Sequence, residues 1–191
     1  MSDTFDLVIR NGQVATPGGL IQTDIGVSAG RIAALGPIAA AQAGETLDAA
    51  GLHVLPGVID AHVHFREPGL THKEDFETGS RAAVLGGVTT VFEMPNSDPV
   101  TTTAERLLDK LARAKGRMAC DYAFYIGGSA ENAGMLGDLE RLPGCAGVKI
   151  FMGASTGSLL LADEEGLTRA LRSGRRRISF HAEDEERLQA R

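Results

Sequence analysis

An α/β protein with a β-rich N-terminal module is the fold class this sequence predicts, on three observations. Short apolar strands broken by turn residues fill residues 5–54 with no helical pattern between them. From Leu55 onward, apolar runs alternate with amphipathic stretches at intervals of roughly 22 to 33 residues, the pattern of βα units feeding a parallel sheet. The composition, 43% hydrophobic and 23% charged, is enough to bury a core beneath such a sheet. The chain is therefore divided into residues 1–54, the β-rich module, and residues 55–191, the βα units.

The elements follow in order. FDLVI reads as a first strand, closed by a turn at Asn11 and Gly12; DIGVS and RIAAL form a hairpin hinged on Ala29 and Gly30. The βα strands are LPGVIDAHVH (55–64), VTTVFEMP (88–95), CDYAFYIG (120–127), GVKIFMG (147–153) and RISFHAE (177–183). Between them, helices fit DFETGSRAAVLGG, TTAERLLDKLARAKG, ENAGMLGDLERL and DEEGLTRALRSG. In the second of these, Leu107, Leu108, Leu111 and Ala114 are expected on one face, Thr102 and Glu105 as a capping box, and Gly116 at the end. Five such strands fit either an open sheet or part of a (β/α)8 barrel.

Charge and cysteine content narrow the function. Nineteen basic against 25 acidic residues give a net charge of −6, with the acids scattered. No nucleic-acid partner is expected, and the short run Arg175–Arg177 reads as a solvated helix end. Cys120 and Cys145 lack zinc-ribbon or CxxC spacing and read as small buried thiols of a reducing compartment. No stretch has the roughly 18 apolar residues of a membrane helix, and the N-terminus is not a signal peptide, so a cytoplasmic protein without a membrane partner is expected.

The chemistry gathers at strand ends. In a strand, residues i and i+2 face one way, so His62 and His64 form a chelating pair, unless they are core histidines bonded to backbone. Asp60 is expected on the same strand face, and parallel barrels carry their active sites at this C-terminal end. His181 closes the fifth strand and Lys149 lies within the fourth. A lysine in an apolar strand either snorkels to the surface or stays as a neutral amine. A neutral amine can take up carbon dioxide to become a bidentate carbamate. His72 reads as a solvated loop residue and His53 as structural. Glu183 and Asp184 either orient an imidazole or begin a helix. The GASTG stretch (153–157) lacks the lysine and the strand-to-helix spacing of a P-loop.

Taken together, DAHVHFREPG, KEDFETGSRAAVLGGVTT, MPNSDP, GVKIFMG and SFHAED resemble the cyclic amidohydrolases, and among them the dihydroorotases most closely. The resemblance spans essentially the whole chain. It implies the first five βα units of a (β/α)8 TIM barrel, preceded by part of a small composite β-sandwich. It also implies two zinc ions (Zn2+): His62 and His64 on one, His181 on the other, and N-carboxylated Lys149 bridging them. Arg66 and Asn96 would hold the carboxylate of dihydroorotate, whose ring is interconverted with N-carbamoyl-L-aspartate in pyrimidine biosynthesis. The zinc pair would generate a hydroxide near neutral pH and polarise the amide carbonyl. The family's proton-shuttle aspartate and a further histidine ligand have no counterpart up to Arg191, so the 191-residue chain alone is expected to be inactive.

The same resemblance leaves two alternatives. One is a hydantoinase, dihydropyrimidinase or allantoinase, in which an arginine directly after the histidines is not expected; the guanidinium of Arg66 argues for an acidic substrate. The other is a non-catalytic dihydroorotase-like subunit beside aspartate carbamoyltransferase, against which the retention of all four ligands argues. Homo-oligomers are expected in either case.

Overall fold

The computed structural model describes residues 4–39, 42–154 and 159–191, and part of the GASTG stretch lies outside them. It divides into two compact units, Met1–Pro56 and Gly57–Arg191.

The first unit is a five-stranded sheet. Strand β1 (Phe5–Thr16) pairs antiparallel with β2 (Gly19–Ser28), which pairs antiparallel with β3 (Arg31–Leu35). On its other side β1 runs parallel to β4 (Ala43–Asp48) and then to β5 (His53–Val54). The turn expected at Asn11 and Gly12 is instead an irregularity inside β1, where the register shifts between Ile9 and Gly12. Asn11 takes φ 62° there, held by its backbone N–H on Asp24 (3.1 Å) and its amide on Asp48 (2.9 Å). The reversal comes after Thr16, whose hydroxyl bonds to the Gly19 carbonyl (2.8 Å). The Ala29–Gly30 hinge forms as expected, both residues at positive φ.

The second unit is built from βα units in chain order: β6 (Val58–Val63), α1 (Phe76–Leu85), β7 (Val88–Glu93), α2 (Ala104–Ala114), β8 (Asp121–Gly127), α3 (Leu136–Leu139), β9 (Cys145–Phe151), α4 (Glu164–Ser173), β10 (Ile178–His181) and α5 (Glu185–Gln189). The five strands are all parallel, in the order β10-β9-β8-β7-β6. One sheet face packs on the helices, burying Val91, Phe124, Ile126, Val148 and Ile150 with Phe76, Leu107, Leu136 and Ala170. Strand alternation then sends Phe92, Tyr125, Lys149, Phe151 and His181 to the opposite face.

Helix α1 starts at a capping box that the sequence reading passed over: Asp75 accepts from the Thr78 N–H (2.8 Å) and the Thr78 hydroxyl serves Asp75 N–H. On α2 the cap is Thr103, not Thr102, accepting from Arg106 N–H at 3.3 Å. Glu105 then stands one place too early to return the bond. The expected face is also revised: Leu108 is exposed, and Lys110 is buried with Leu107 and Ala114. The helix expected over 131–142 shrinks to Leu136–Leu139. Asn132 is diverted by its own side chain, which accepts from Ser129 N–H and donates to the Thr102 and Gly127 carbonyls, all at 2.8 Å. Among the described residues no helix is long and apolar enough to cross a membrane.

Candidate metal centre

Strand β6 carries His62 and leads directly into His64, and the two imidazoles meet: Nε2 to Nε2 is 3.1 Å. Two nitrogens bound at about 2.0–2.1 Å to one tetrahedral zinc ion stand roughly 3.3 Å apart, so this is a ligand-to-ligand spacing. Asn96, in the loop after β7, accepts the Nδ1 proton of His64 at 2.8 Å. That bond leaves the Nε2 lone pair free to face His62, which is how a ligand tautomer is set.

Asp60 does not join the pair. Its carboxylate accepts from the His62 backbone N–H at 3.0 Å, and its ladder partner is Val91, whose side chain lies in the helix-facing core. It steadies the strand carrying the histidines.

Lys149 on β9 is 1% exposed, its ammonium 5.1 Å from the centre of the Phe151 ring. Burial alone lowers its pKa, and no carboxylate among the described residues contributes to it. The other buried lysine, Lys110, is bonded to Glu93. The contrast separates a lysine that has an anion from one that is placed to acquire it. On β10, His181 pairs in register with Phe151, their rings 5.7 Å apart, while Ser179 pairs with Lys149. His181 Nε2 stands 3.3 Å from a Glu183 oxygen. That carboxylate lies against Gly153, where a Cβ would collide with it. Asp184 instead caps α5, accepting from Arg187 N–H at 3.0 Å. Of the two acids, one orients the imidazole and the other begins the helix.

Burial holds the His62 and His64 imidazoles below the ordinary value of 6.5. Lys149 adds the next push on His62, and the Asn96 bond partly opposes the shift on His64. Both rings are therefore neutral at pH 7, with lone pairs available to a cation. A folded-state pKa below the unfolded one means that the native protein binds fewer protons, so this contribution to stability is lost as the pH falls below 6.5. Histidine-resolved NMR titration of metal-free protein should place the His62 and His64 midpoints below 6.5.

Arg66 follows two places after His64, close enough that its charge lowers the His64 pKa and acts on Glu74 and Glu93. Its loop is held rigidly. Buried Glu67 takes a bidentate pair from Arg117 at 2.7 and 3.0 Å and accepts the Phe76 N–H at 3.1 Å. Pro68 O accepts from Asp98 N–H (3.2 Å), joining this loop to the one bearing Asn96. Gly69, at φ 102°, packs directly on Asp98 with no room for a Cβ. His53 is a β5 residue of the first unit, and His72 lies in the loop beyond Gly69.

The structure thus draws His62, His64 and Asn96 into one bonded group. Lys149 and His181 lie near enough for their charges to act on His62. Among the described residues no set of three or more histidine, cysteine, aspartate or glutamate side chains closes on one point. The sequence reading missed Glu93 and Lys110, although each is a charge standing in an apolar stripe.

A parallel βα sheet whose first strand leads into two histidines that meet at its C-terminal end is the arrangement of a βα-barrel protein with a candidate metal site at the barrel mouth. The amidohydrolase family model matches residues 53–171, and the chain belongs to that family. The allantoinase of Rubrobacter xylanophilus is 44% identical over 190 residues, 95% of this chain and 41% of that protein. The allantoinase of Deinococcus radiodurans is 39% identical over 188 residues, 96% of this chain and 42% of that one. The L-hydantoinase (dihydropyrimidinase) of Arthrobacter aurescens superposes with a TM-score of 0.88 at 32% identity, over 98% of this chain and 43% of that chain. The parallel sheet is accordingly part of a TIM barrel of the hydantoinase type. The chain spans about two fifths of the length of these relatives, which are named allantoinase and hydantoinase and not dihydroorotase.

Proposed function

We propose that this chain forms the metal-binding part of a cyclic amide hydrolase whose substrate is an uncharged cyclic ureide of the allantoin or hydantoin type. The observation that carries the reading is the meeting of the His62 and His64 Nε2 atoms beside a buried lysine that has no carboxylate partner among the described residues. The 39–44% identity to allantoinases supports the choice of substrate over dihydroorotate.

In this reading His62 and His64 would hold one divalent cation and His181 a second, with the modified Lys149 as a further ligand. The neutral Lys149 amine would add to the carbon of carbon dioxide: a C–N bond forms as one C=O π bond opens onto oxygen, and an amine proton leaves to solvent, giving a carbamate with two oxygens. A buried amine without a carboxylate partner favours this, because the ionic alternative is a desolvated ammonium. The cation pair supplies a water of lowered pKa and a polarised ring carbonyl. The chain's own residues do the rest. Asn96 and Glu183 aim the imidazoles, Phe151 shields the Lys149 stem, and the paired loops around Arg66 and Asn96 shape the entrance. Zinc suits the nitrogen-rich set, and manganese, cobalt and iron compete on ligand type.

Dihydroorotate remains the second reading because of Arg66, a guanidinium placed two residues beyond His64 that matches a carboxylate. The Arg66→Ala variant separates the two. A charge-assisted bond contributes about 1.5–3 kcal/mol. On the ureide reading, in a full-length version of the protein, kcat/KM for allantoin or hydantoin should fall less than about tenfold, with negligible dihydroorotate turnover in the full-length parent. A parent that turns over dihydroorotate, and loses it by about 10- to 150-fold in Arg66→Ala, would replace the first reading with the second.

A further inference from the structure

Behind the site, in the layer between sheet and helices, lies an ion pair that packing alone does not require. Glu93 ends β7 and Lys110 reaches it from α2, each 1% exposed. The Lys110 ammonium donates to the Glu93 carboxylate and to the Met94 carbonyl (3.3 Å), and lies 5.5 Å from the centre of the Phe124 ring. An apolar pair of similar volume would fill this space at equal or better stability. What an apolar pair lacks is direction. The Lys110 bonds fix the chain at Glu93 and Met94, and Met94 N–H fixes the same point to the Val63 carbonyl at 2.9 Å, next to His64. Two residues beyond Met94 stands Asn96, the acceptor for His64 Nδ1.

We infer that Lys110 is a positioning residue of the site: through Glu93 and the Met94 carbonyl it holds the turn that carries Asn96, and so fixes His64 with its Nε2 lone pair toward His62. The tautomer part stands without any metal; the consequence for metal affinity rests on the proposed reading of His64 as a ligand. Lys110 touches neither metal nor substrate in this account.

Histidine-labelled, metal-free protein read by 15N NMR tests it, with zinc titration as the second measurement. His64 in the parent should be the Nδ1–H tautomer. Lys110→Met leaves Glu93 buried without a partner and can fail to fold, so the Glu93→Met/Lys110→Met double variant carries the test. It should keep the parent's amide spectrum, show His64 as a mixture of tautomers, and bind zinc about tenfold more weakly, the lower end of the loss seen when an orienting partner is removed. Asn96→Ala should give the same histidine signature. A folded double variant with parental His64 tautomer overturns the inference, whatever its zinc affinity, as does an Asn96→Ala protein with an unchanged His64. Loss of fold in the double variant also overturns it and assigns the pair to stability. A tautomer shift in protein that binds no zinc upholds Lys110 as positioning while removing the metal-centre reading.

Discussion

In a full-length version of the protein, Lys149→Ala should lose one of the two metal ions of the proposed site and reduce ring-opening activity by more than about 100-fold, since removing even an orienting partner of a ligand costs about 10- to 100-fold. The lost group would be the bridge itself. The side chain is buried on the face shared with His181 and close enough to act on both His62 and His64, and its amine has no carboxylate partner among the described residues. Alanine leaves the histidines separated into a pair and a single, and a single imidazole is a weak site. A short-chain carboxylic acid, small enough to enter the vacated space, should restore part of both metal content and activity by standing in for the carbamate. Metal analysis after gel filtration, with and without the acid, reads this out. Parental stoichiometry in the unrescued variant would remove Lys149 from the metal site.

The second large effect is on stability. Lys110→Met should destabilise the fold by about 3–5 kcal/mol, because it strands the Glu93 carboxylate in an apolar layer. The parent Glu93 already has its pKa pushed up to about 7 by burial, with Lys110 as the main opposing influence. Without the ammonium the carboxyl is expected to take up a proton at higher pH, which limits the loss. The Glu93→Met/Lys110→Met double variant should recover most of the stability, so the two substitutions should be strongly non-additive in urea denaturation. Additive losses would mean that the two side chains act independently.

What the sequence made legible was set by periodicity and by chemistry concentrated in single strands. Four of the five parallel strands fall within the expected segments and the other, β9, begins two residues early at Cys145, because each is a compact apolar run bounded by turn residues. His62 and His64 are readable as a pair because strand alternation alone puts them on one side. Lys149 is readable because an ammonium in GVKIFMG violates the pattern around it. The failures share a different cause, which is side chains that bond across distance. Asn11 looks like a turn residue, and Asp24 and Asp48, 13 and 37 positions away, turn it into a bulge. Asn132 looks helical until its amide is seen holding Thr102 and Gly127. Lys110 looks solvent-facing because its partner Glu93 belongs to another element. Asp60 shows the reverse error: its spacing from His62 suggested a shared face, and the ladder to Val91 and a local backbone bond place it elsewhere.

The substrate was the least legible part. Arg66 beside a histidine pair points by chemistry to an anion, whereas the relatives are named allantoinase and hydantoinase. A charged residue at a loop serves recognition or loop geometry equally well until its surroundings are known. Here that loop is already fixed by Glu67 and Arg117 and by its bond to the Asn96 loop, none of which is apparent from the motif.

The central claim is that two histidines of β6 and its continuation, a carboxylated lysine of β9 and a histidine of β10 hold a pair of cations. Anomalous diffraction at the zinc edge, from crystals grown with zinc and bicarbonate, tests it most directly. The expected result is a pair of anomalous peaks, one bonded to His62 and His64 and the other to His181, with continuous density for a carbamate on Lys149 between them. Zinc bound elsewhere, or bound here beside an unmodified Lys149 amine, would contradict the account.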